Sequence, residues 1–292
     1  MKLFFTFLLY VVIFFFGYVG VKDFCQKKTF GFSVQGILTS DPSFLERGSS
    51  CPSDEGLLVI QKALHQPYHF MKRGLQCYVF ASQDDQYVLK FFRWKQITPP
   101  FWTSFFPRAW TEKTCQEKEK QRIHDFSSYQ LAFSELAEET GALYLHLKQT
   151  DFLQTPITLY DPLHIRHLLP SDDVAFILQK KSDLFLPYFE KNKHNPNRLE
   201  YFFTQFLHIL ERRWEKGICD SDISLEYNMG VLEDNPVLFD IGNLTKDLTI
   251  SKREFLLRES QLVMRWLREN QPDLALFLQE QIDLSSIQDP SL

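Results

Sequence analysis

The chain has 292 residues, of which 44% are hydrophobic and 24% are charged. Such a composition is typical of a folded globular protein and excludes an intrinsically disordered one. The formal net charge is −5; without a basic footprint, we expect no nucleic-acid partner. The length allows one large domain or two ordinary ones.

The N-terminus carries an apolar segment, residues 3–21, that contains no charged residue. As an α-helix it would be about 28 Å long, close to the hydrocarbon thickness of a bilayer. A cleaved signal peptide is the alternative, but cleavage needs small residues at the last and third-last positions. Cuts after Gly17 or Gly20 would leave Phe15 or Tyr18 in the third-last place. The segment therefore predicts an uncleaved, single-pass transmembrane anchor.

The lysines that flank this segment bear on its orientation. Lys2 precedes it, while Lys22, Lys27 and Lys28 follow it. Because basic residues favour the cytoplasmic side of a membrane, the excess on the C-terminal side favours a cytoplasmic body. Residues 22–58, rich in Gly, Ser and Pro, are predicted to be an irregular linker.

The cysteines are scattered and odd in number, and form no C-x-x-C pair: Cys25, Cys51, Cys77, Cys115 and Cys219. Their spacing argues against a zinc site and against a disulfide scaffold. We expect buried free thiols, with a single bridge between Cys25 and Cys51 left open as the alternative.

The first half of the body is predicted to be rich in strands. Residues 68–71, 76–82 and 86–92 have β-type composition and are separated by Gly74 and by a turn at 83–85, which indicates an antiparallel meander. Residues 94–110 hold three prolines among many aromatic residues and cannot form a regular helix. This segment is expected to be a loop packed on the sheet, or alternatively to rest in the lipid headgroup layer.

The second half is predicted to be mainly helical. A helix is expected over 117–139, followed by strands at 157–159, continuing to about 167, and from 174. The strongest helical pattern covers 199–216, where an apolar stripe faces a charged side. A hairpin with its turn at Asn235-Pro236 follows, and then helices over 252–269 and 273–282. The fold class is therefore α+β with two lobes, divided into a transmembrane anchor (1–21), a linker (22–58), an N-lobe (59–181) and a helical C-lobe (182–292).

Over roughly residues 68–243, this order of elements resembles the protein-kinase-like superfamily. In that family, a lysine on the third strand holds the phosphates of ATP, and a helix glutamate pairs with the lysine. "YVLK" is similar to the third-strand motif and makes Lys90 the phosphate lysine. Glu135, taken to lie mid-helix with apolar neighbours, is the expected partner of Lys90, because a carboxylate on an inward face needs a cation.

The metal ligands follow from the same resemblance. "VLFDIG" is similar to the D-F-G motif, so Asp240 would bind Mg²⁺ and Gly242 would allow the chain to turn sharply. Asn228 matches the catalytic-loop asparagine, the second ligand. Magnesium prefers such oxygen ligands and completes its octahedron with water and phosphate. Mg²⁺ and ATP are therefore the expected cofactors.

The chain also departs from the family pattern. The catalytic loop has no His-Arg pair, and five residues instead of four separate Asp222 from Asn228. Asp222 is the expected base that orients the acceptor hydroxyl, while Asp220 either takes that role or braces the loop. The glycine loop is reduced to Gly74, so fewer backbone amides can wrap the phosphates. There is also no A-P-E motif.

Three functions follow from these residues. The resemblance implies a membrane-anchored, atypical phosphotransferase that uses Mg-ATP on an unknown acceptor. The departures favour instead a pseudokinase-like scaffold or binding module at the membrane. A third hypothesis is an unrelated α+β fold in which Asp220, Asp222 and Asp240 are solvated turn residues. If the resemblance holds, Lys90, Glu135, Asp222, Asn228 and Asp240 converge on one cleft.

Overall fold

The computed structural model of the chain describes residues 2–38, 52–220, 222–247 and 249–287. Its helices are α1 (Lys2–Lys28), α2 (Asp54–Leu64), α3 (Trp94–Ile97), α4 (Arg108–Glu135), α5 (Ala137–Thr140), α6 (Phe185–Asn192), α7 (Pro196–Glu215), α8 (Lys252–Glu259), α9 (Gln261–Asn270) and α10 (Pro272–Ile287). Its strands are β1 (Pro67–Arg73), β2 (Cys77–Ser82), β3 (Tyr87–Phe92), β4 (Ala142–His146), β5 (Ile157–Tyr160), β6 (Arg166–Leu169), β7 (Phe176–Lys180), β8 (Asp183–Leu184), β9 (Ile218–Cys219), β10 (Met229–Leu232), β11 (Asn235–Leu238) and β12 (Thr245–Lys246).

The fold is α+β, as predicted. Across the described residues, seven strands form one sheet in the order β4-β7-β3-β2-β1-β5-β6. Smaller sheets join β11, β10 and β8, and pair β12 with β9. The predicted meander is confirmed, since β1 pairs antiparallel with β2 and β2 neighbours β3. The strands predicted at 157–159 and from 174 are present as β5 and β7.

Contacts between residues divide the chain into two compact units. Unit 1 comprises Met1–Asp84, Leu89–Gln96 and His146–Phe176, and unit 2 comprises Asp85–Val88, Ile97–Leu145 and Ile177–Leu292. Helix α4, which the sequence assigns to the N-lobe, thus belongs with the helices of unit 2. The predicted lobes, 59–181 and 182–292, stay a prediction.

In unit 1, an aromatic core packs on strands β1 and β2. Phe32 and Phe70 both contact the ring of Phe80, with centroid distances of 5.3 and 5.5 Å. Strand β5 adds to the other edge of β1 in parallel register, and β6 pairs antiparallel with β5. A β-bulge at Met71 interrupts the β1–β2 ladder, because Phe70 faces Phe80 while Lys72 already faces Val79.

Helix α1 is longer than the predicted anchor and continues to Lys28. Near the N-terminus this helix is long and apolar enough to cross a membrane, a property it shares with signal sequences. None of its apolar window is buried against the protein, and Phe14 is 78% exposed. The predicted linker 22–58 therefore contains the end of α1 and the start of α2; residues 39–51 lie outside the described ranges.

In unit 2, helix α7 organises the core. Asn195 caps its N-terminus by accepting a hydrogen bond from the Arg198 amide, and Pro196 occupies the first turn, where its missing N–H costs nothing. The predicted apolar stripe is confirmed: Phe202, Phe203, Phe206, Ile209 and Leu210 are buried, and Trp214 is partly buried. Helices α8 and α10 pack against α7.

Several local predictions were inaccurate. The helix predicted over 252–269 ends at Glu259 and restarts at Gln261. The predicted helix at 117–139 begins earlier, directly after Pro107, and ends at Glu135. Strand β4 was not predicted. Residues 94–105 form short helical turns, and residues 108–110 already belong to α4. Trp94 is buried and donates to the Ile37 carbonyl at 2.8 Å, whereas Phe105 is exposed.

The described cysteines carry no disulfide. Cys77 and Cys219 are buried, as expected for structural thiols, while Cys25 is exposed. The alternative bridge from Cys25 involves Cys51, which lies outside the described residues.

Candidate functional site

The loop that follows α7 carries the predicted acids. Gly217, with φ of +62°, reverses the chain at the end of α7, a conformation that favours glycine because it has no Cβ. Strand β9 then pairs with β12, so that Cys219 lies opposite Thr245. The loop that carries Asp220, Asp222 and Asn228, called the acidic loop, therefore begins next to the end of the Asp-Ile-Gly segment (residues 240–242).

Asp220 is buried at the base of this loop, with only 5% of its surface exposed. Its carboxylate accepts a hydrogen bond from the Asp222 amide at 3.0 Å. Its own amide donates to Glu259 at 2.6 Å. Asp220 therefore holds the loop from inside, while Asp222 is exposed.

Glu259 belongs to a buried ion pair that the sequence did not reveal. Arg213 from α7 donates to Glu259 from α8 at 3.1 Å, and both side chains are fully buried. Arg258 adds a second hydrogen bond to Glu259 at 3.3 Å. Because Glu259 also accepts the Asp220 amide, this pair connects two core helices to the acidic loop.

Burial and neighbouring charges act together on Asp220. Burial raises the pKa of its carboxyl, the positive charge of Arg213 opposes this, and the charges of Asp240 and Asp222 raise it further. Burial likewise raises the pKa of Glu259, again opposed by Arg213. Asp222 and Asp240 thus both lie close enough to act on the buried Asp220 carboxyl, although Asp240 is twenty positions from it.

Asn228 ends the loop and begins a hairpin. Its amide donates to the Ser224 carbonyl at 3.0 Å, and its carbonyl accepts from the Phe239 amide at 3.1 Å. The side-chain Nδ2 donates to the Asp222 carbonyl, which leaves Oδ1 as the atom able to bind a metal.

The hairpin itself has a different turn from the one predicted. Strands β10 and β11 pair from Met229–Leu238 to Leu232–Asn235, so Asn235 and Pro236 lie within a strand. Glu233 and Asp234 form the turn, with φ of +51° and +67°. Two left-handed residues are typical of a two-residue type I′ turn, a geometry that Glu-Asp does not signal.

A serine of α4, Ser128, fixes the Asp-Ile-Gly segment by hydrogen bonds. Asp240 is exposed and accepts from the Gly242 amide at 3.3 Å. Ile241 is buried; its carbonyl accepts from the Ser128 hydroxyl at 2.6 Å, and the same hydroxyl accepts from the Leu244 amide at 2.7 Å. Ser128 thus closes the segment into a fixed turn. No motif in the sequence pointed to this serine.

The other predicted site residues belong to other elements of the chain. Glu135 is the last residue of α4, not a mid-helix residue; its half-buried carboxylate lies 3.9 Å from the Lys246 ammonium. The buried acid of this region is Glu139, which pairs with Arg212 at 2.8 Å. Lys90 lies in unit 1 on β3, partly buried between the fully buried Leu89 and Phe91.

Gly74 occupies the turn between β1 and β2. Its amide donates to the Cys77 carbonyl at 2.8 Å. Arg93 donates to the carbonyls of Gly74 and Leu75 at 2.8 and 2.7 Å. The turn is therefore closed by protein contacts, and the Gly74 amide is already engaged.

The donors at the acidic loop suit magnesium but do not form a complete shell. Asp240 offers a carboxylate and Asn228 an amide oxygen, both preferred ligands of Mg²⁺. In the described chain, no three His, Cys, Asp or Glu side chains are grouped so that they could hold a metal ion. A magnesium ion here would take the rest of its ligands from water and phosphate.

Comparisons with known proteins give remote structural similarity only. No family model and no curated protein match the sequence. Among solved structures, a crystal structure of WbdD is similar with a TM-score of 0.37 and 12% identity, covering 73% of this chain and 45% of that chain. WbdD with the kinase inhibitor LY294002 gives a TM-score of 0.37 and 13% identity, covering 73% and 44%. A further structure, described as the bifunctional kinase-methyltransferase WbdD, gives 0.35 and 11%, covering 71% and 42%.

The chain thus spans less than half the length of the WbdD chains it matches. WbdD is a remote structural neighbour, and at this TM-score the likeness assigns no activity to this chain.

Proposed function

We propose that the chain is a membrane-anchored, atypical phosphotransferase that uses Mg-ATP, with a two-lobed, protein-kinase-like fold. The observation that carries the proposal is that Asp222 and Asp240, on segments on either side of the hairpin, both act on the buried carboxyl of Asp220. Burying Asp220 beside Asp222 and Asp240 costs folding free energy, because like charges repel and burial disfavours a carboxylate. Such an arrangement is expected where a cation binds.

Each residue of the site has a distinct role in this proposal. Asp240 and Asn228 would hold Mg²⁺, which would neutralise charge on the phosphates of the nucleotide. Asp222 is exposed at the loop surface, where it can accept the proton of an acceptor hydroxyl and orient its oxygen. Asp220 is a positioning residue, since its buried carboxylate holds the Asp222 amide.

Two assignments rest on the resemblance alone. Lys90 is proposed to bind the phosphates, with Glu135 as its partner. The proposed anchor is α1, uncleaved, with the body of the protein in the cytoplasm.

A pseudokinase-like scaffold at the membrane is the second candidate. The closed turn at Gly74 favours it, because an engaged amide cannot bind a phosphate without rearrangement. Metal ligands argue against it, since a scaffold has no need of them. Nucleotide turnover separates the two candidates.

Asp240→Ala tests the metal assignment. The variant loses one of several repelling acids, so we expect it to fold at least as stably as the parent. It should nevertheless lose stabilisation by Mg-ATP, which follows RT ln(1 + [L]/Kd) and is about 2.7 kcal/mol at a hundredfold excess over Kd. The measurement is the thermal unfolding midpoint with Mg²⁺ alone, ATP alone and both.

Glu226→Ala is the matched control, because Glu226 is an exposed acid of the same loop; it should keep full protection. Asp222→Ala should also keep nucleotide protection but lose phosphoryl transfer, since its role belongs to the transition state. Protection that survives in Asp240→Ala would refute the metal assignment. If millimolar Mg-ATP does not raise the thermal unfolding midpoint of the parent, the proposed phosphotransferase activity is refuted.

A further inference from the structure

Unit 1 contains a pocket that the proposed phosphotransfer does not use. It has a volume of about 910 Å³ and lies where the end of α1 meets β1 and the loop between β5 and β6. Its lining includes Lys27 from α1, Lys72 and Arg73 from β1, and His164 from the loop. The volume is within the range of small-molecule sites.

The charge balance of the pocket favours an anionic ligand. Three lining residues are basic, Lys27, Lys72 and Arg73, and two are acidic, Asp23 and Asp161. Both acids already have partners. Asp23 pairs with Lys27 at 2.7 Å, and Asp161 accepts from His167 at 2.9 Å and from two amides of its own loop.

The carboxyl of Asp161 is held in its charged form. Burial acts to raise its pKa, but hydrogen bonds from His167 and from the loop amides outweigh this, and the pKa lies below its usual range. Asp161 therefore serves to shape the loop. Lys72 and Arg73 lie beside the bulge at Met71. Bulges often re-aim side chains next to functional sites.

The position of the pocket along α1 matches the headgroup layer of a membrane. The apolar segment ends at Val21, and Lys27 is six positions further on, or about 9 Å along a helix. The polar layer of one leaflet is about 5–8 Å thick. If α1 spans the bilayer, the pocket therefore lies at or just beyond the headgroups.

Exposed apolar residues beside the pocket also indicate a surface that faces a membrane. In the loop between β5 and β6, Leu163 and Ile165 are 49% and 53% exposed, and Phe30, just after α1, is 52% exposed. Large apolar side chains around a basic pocket are expected where a protein rests on a membrane.

We propose that this juxtamembrane pocket binds the phosphate-bearing headgroup of an anionic membrane lipid, with Lys72 and Arg73 as the anion-binding residues. The inference rests on the part of the proposed function that inserts α1 in a membrane and does not depend on phosphotransfer. Inorganic phosphate offers the same chemistry, and the experiment separates the two sources.

The test uses the full-length chain in a neutral detergent with an equimolar mixture of phosphatidylglycerol and phosphatidylcholine. Native mass spectrometry counts the lipids bound to each protein molecule. We expect the parent to carry phosphatidylglycerol in several-fold excess, and Lys72→Gln/Arg73→Gln to bind both lipids equally. The control, Arg265→Gln/Arg268→Gln, removes the same charge from exposed positions of α9 and should keep the parental ratio.

Arg73 also donates to the Phe30 carbonyl at 3.2 Å, so its loss can disturb the fold. Lys72→Gln alone should lower the ratio, and Arg73→Lys should retain most of it. Equal ratios in the parent and Lys72→Gln/Arg73→Gln would overturn the proposal. So would loss of the preference when inorganic phosphate is added, since the pocket would then accept free phosphate.

Failure of the inference can be told apart from failure of the proposed function. If the same preparation sediments with membranes and is protected by Mg-ATP but shows no lipid preference, the pocket assignment alone is wrong. If the chain does not sediment with membranes, the anchor is wrong and the pocket assignment is overturned with it.

Discussion

Asp220 is both buried and close to other charged residues of the proposed site. Its carboxyl is buried next to two other aspartates, while Arg213 compensates only part of this charge because it also serves Glu259. Asp220→Asn keeps a side-chain oxygen that can accept the Asp222 amide. We therefore expect the variant to unfold at a higher temperature than the parent at neutral pH.

The sign of the pH dependence follows from the raised pKa of Asp220. Between its unfolded and folded pKa values, the folded protein binds a proton that the unfolded chain does not bind, so stability falls as pH rises. The advantage of Asp220→Asn should therefore disappear as the pH is lowered towards about 4, the unfolded value. Thermal midpoints of both proteins from pH 4 to 8 measure this, and a pH-independent difference would contradict it.

For a substitution at Glu259 we expect the opposite effect, a loss of stability. Glu259→Ala leaves Arg213 as a buried charge without its main partner and removes the acceptor of the Asp220 amide. Breaking a buried ion pair on one side typically costs about 3–5 kcal/mol. Glu190→Ala is the control, since its pair with Lys193 is exposed and such pairs contribute about 0–1 kcal/mol. Urea unfolding gives both values; similar losses would show that the buried pair is not structural.

At this scale the sequence predicts some of the site and misses the rest for a physical reason. The spacing of Asp220, Asp222 and Asn228 is local, so a loop between helix and hairpin could be inferred. Arg213 and Glu259 are 46 positions apart, and their pairing depends on how α7 and α8 pack. Arg213 also follows Glu211 and Arg212, which are solvent-facing in the helical pattern, so nothing indicated its burial.

At the scale of elements, local signals predict best and tertiary packing corrects them. Strands β1 to β3 and helix α7 were predicted because their periodicity and turn residues lie within the segment. The helix over 252–269 shows continuous composition, yet it breaks at Ser260, whose hydroxyl donates to the Leu256 carbonyl at 2.6 Å. Strand β4 was missed because its place next to β7 is non-local.

The hairpin turn provides a test at the same scale. Glu233 adopts φ of +51°, a left-handed conformation that Asn tolerates better than an ordinary residue. We expect Glu233→Asn to raise the free energy of unfolding by part of the roughly 1–2 kcal/mol that a left-handed conformation costs an ordinary residue. Glu226→Asn is the control, because Glu226 is exposed and has no positive φ. A gain in the control equal to that in the turn would refute the strain argument.

At the scale of the whole molecule, the main question is what covers the apolar face of α1. Its apolar face is not buried by the rest of the chain, and an exposed apolar surface of this length is not stable in water. The proposed function buries this face in a membrane and keeps the helix uncleaved, since the sites at Gly17 and Gly20 are poor. The unit 1 pocket and the exposed residues around it would then face the same membrane.

We therefore expect the full-length protein to sediment with membranes and to resist extraction by alkaline carbonate. Val12→Asp/Phe14→Asp should release it, because each aspartate near the centre of a spanning helix costs about 2.5–3.5 kcal/mol. Leu58→Asp/Val59→Asp is the control: it adds the same charges at exposed positions of α2 and should leave the protein in the membrane fraction. Mass spectrometry of the N-terminus decides between anchor and signal peptide. A soluble form that begins near residue 18 or 21 would show that α1 is removed, and the membrane assignment would then be wrong for the mature protein.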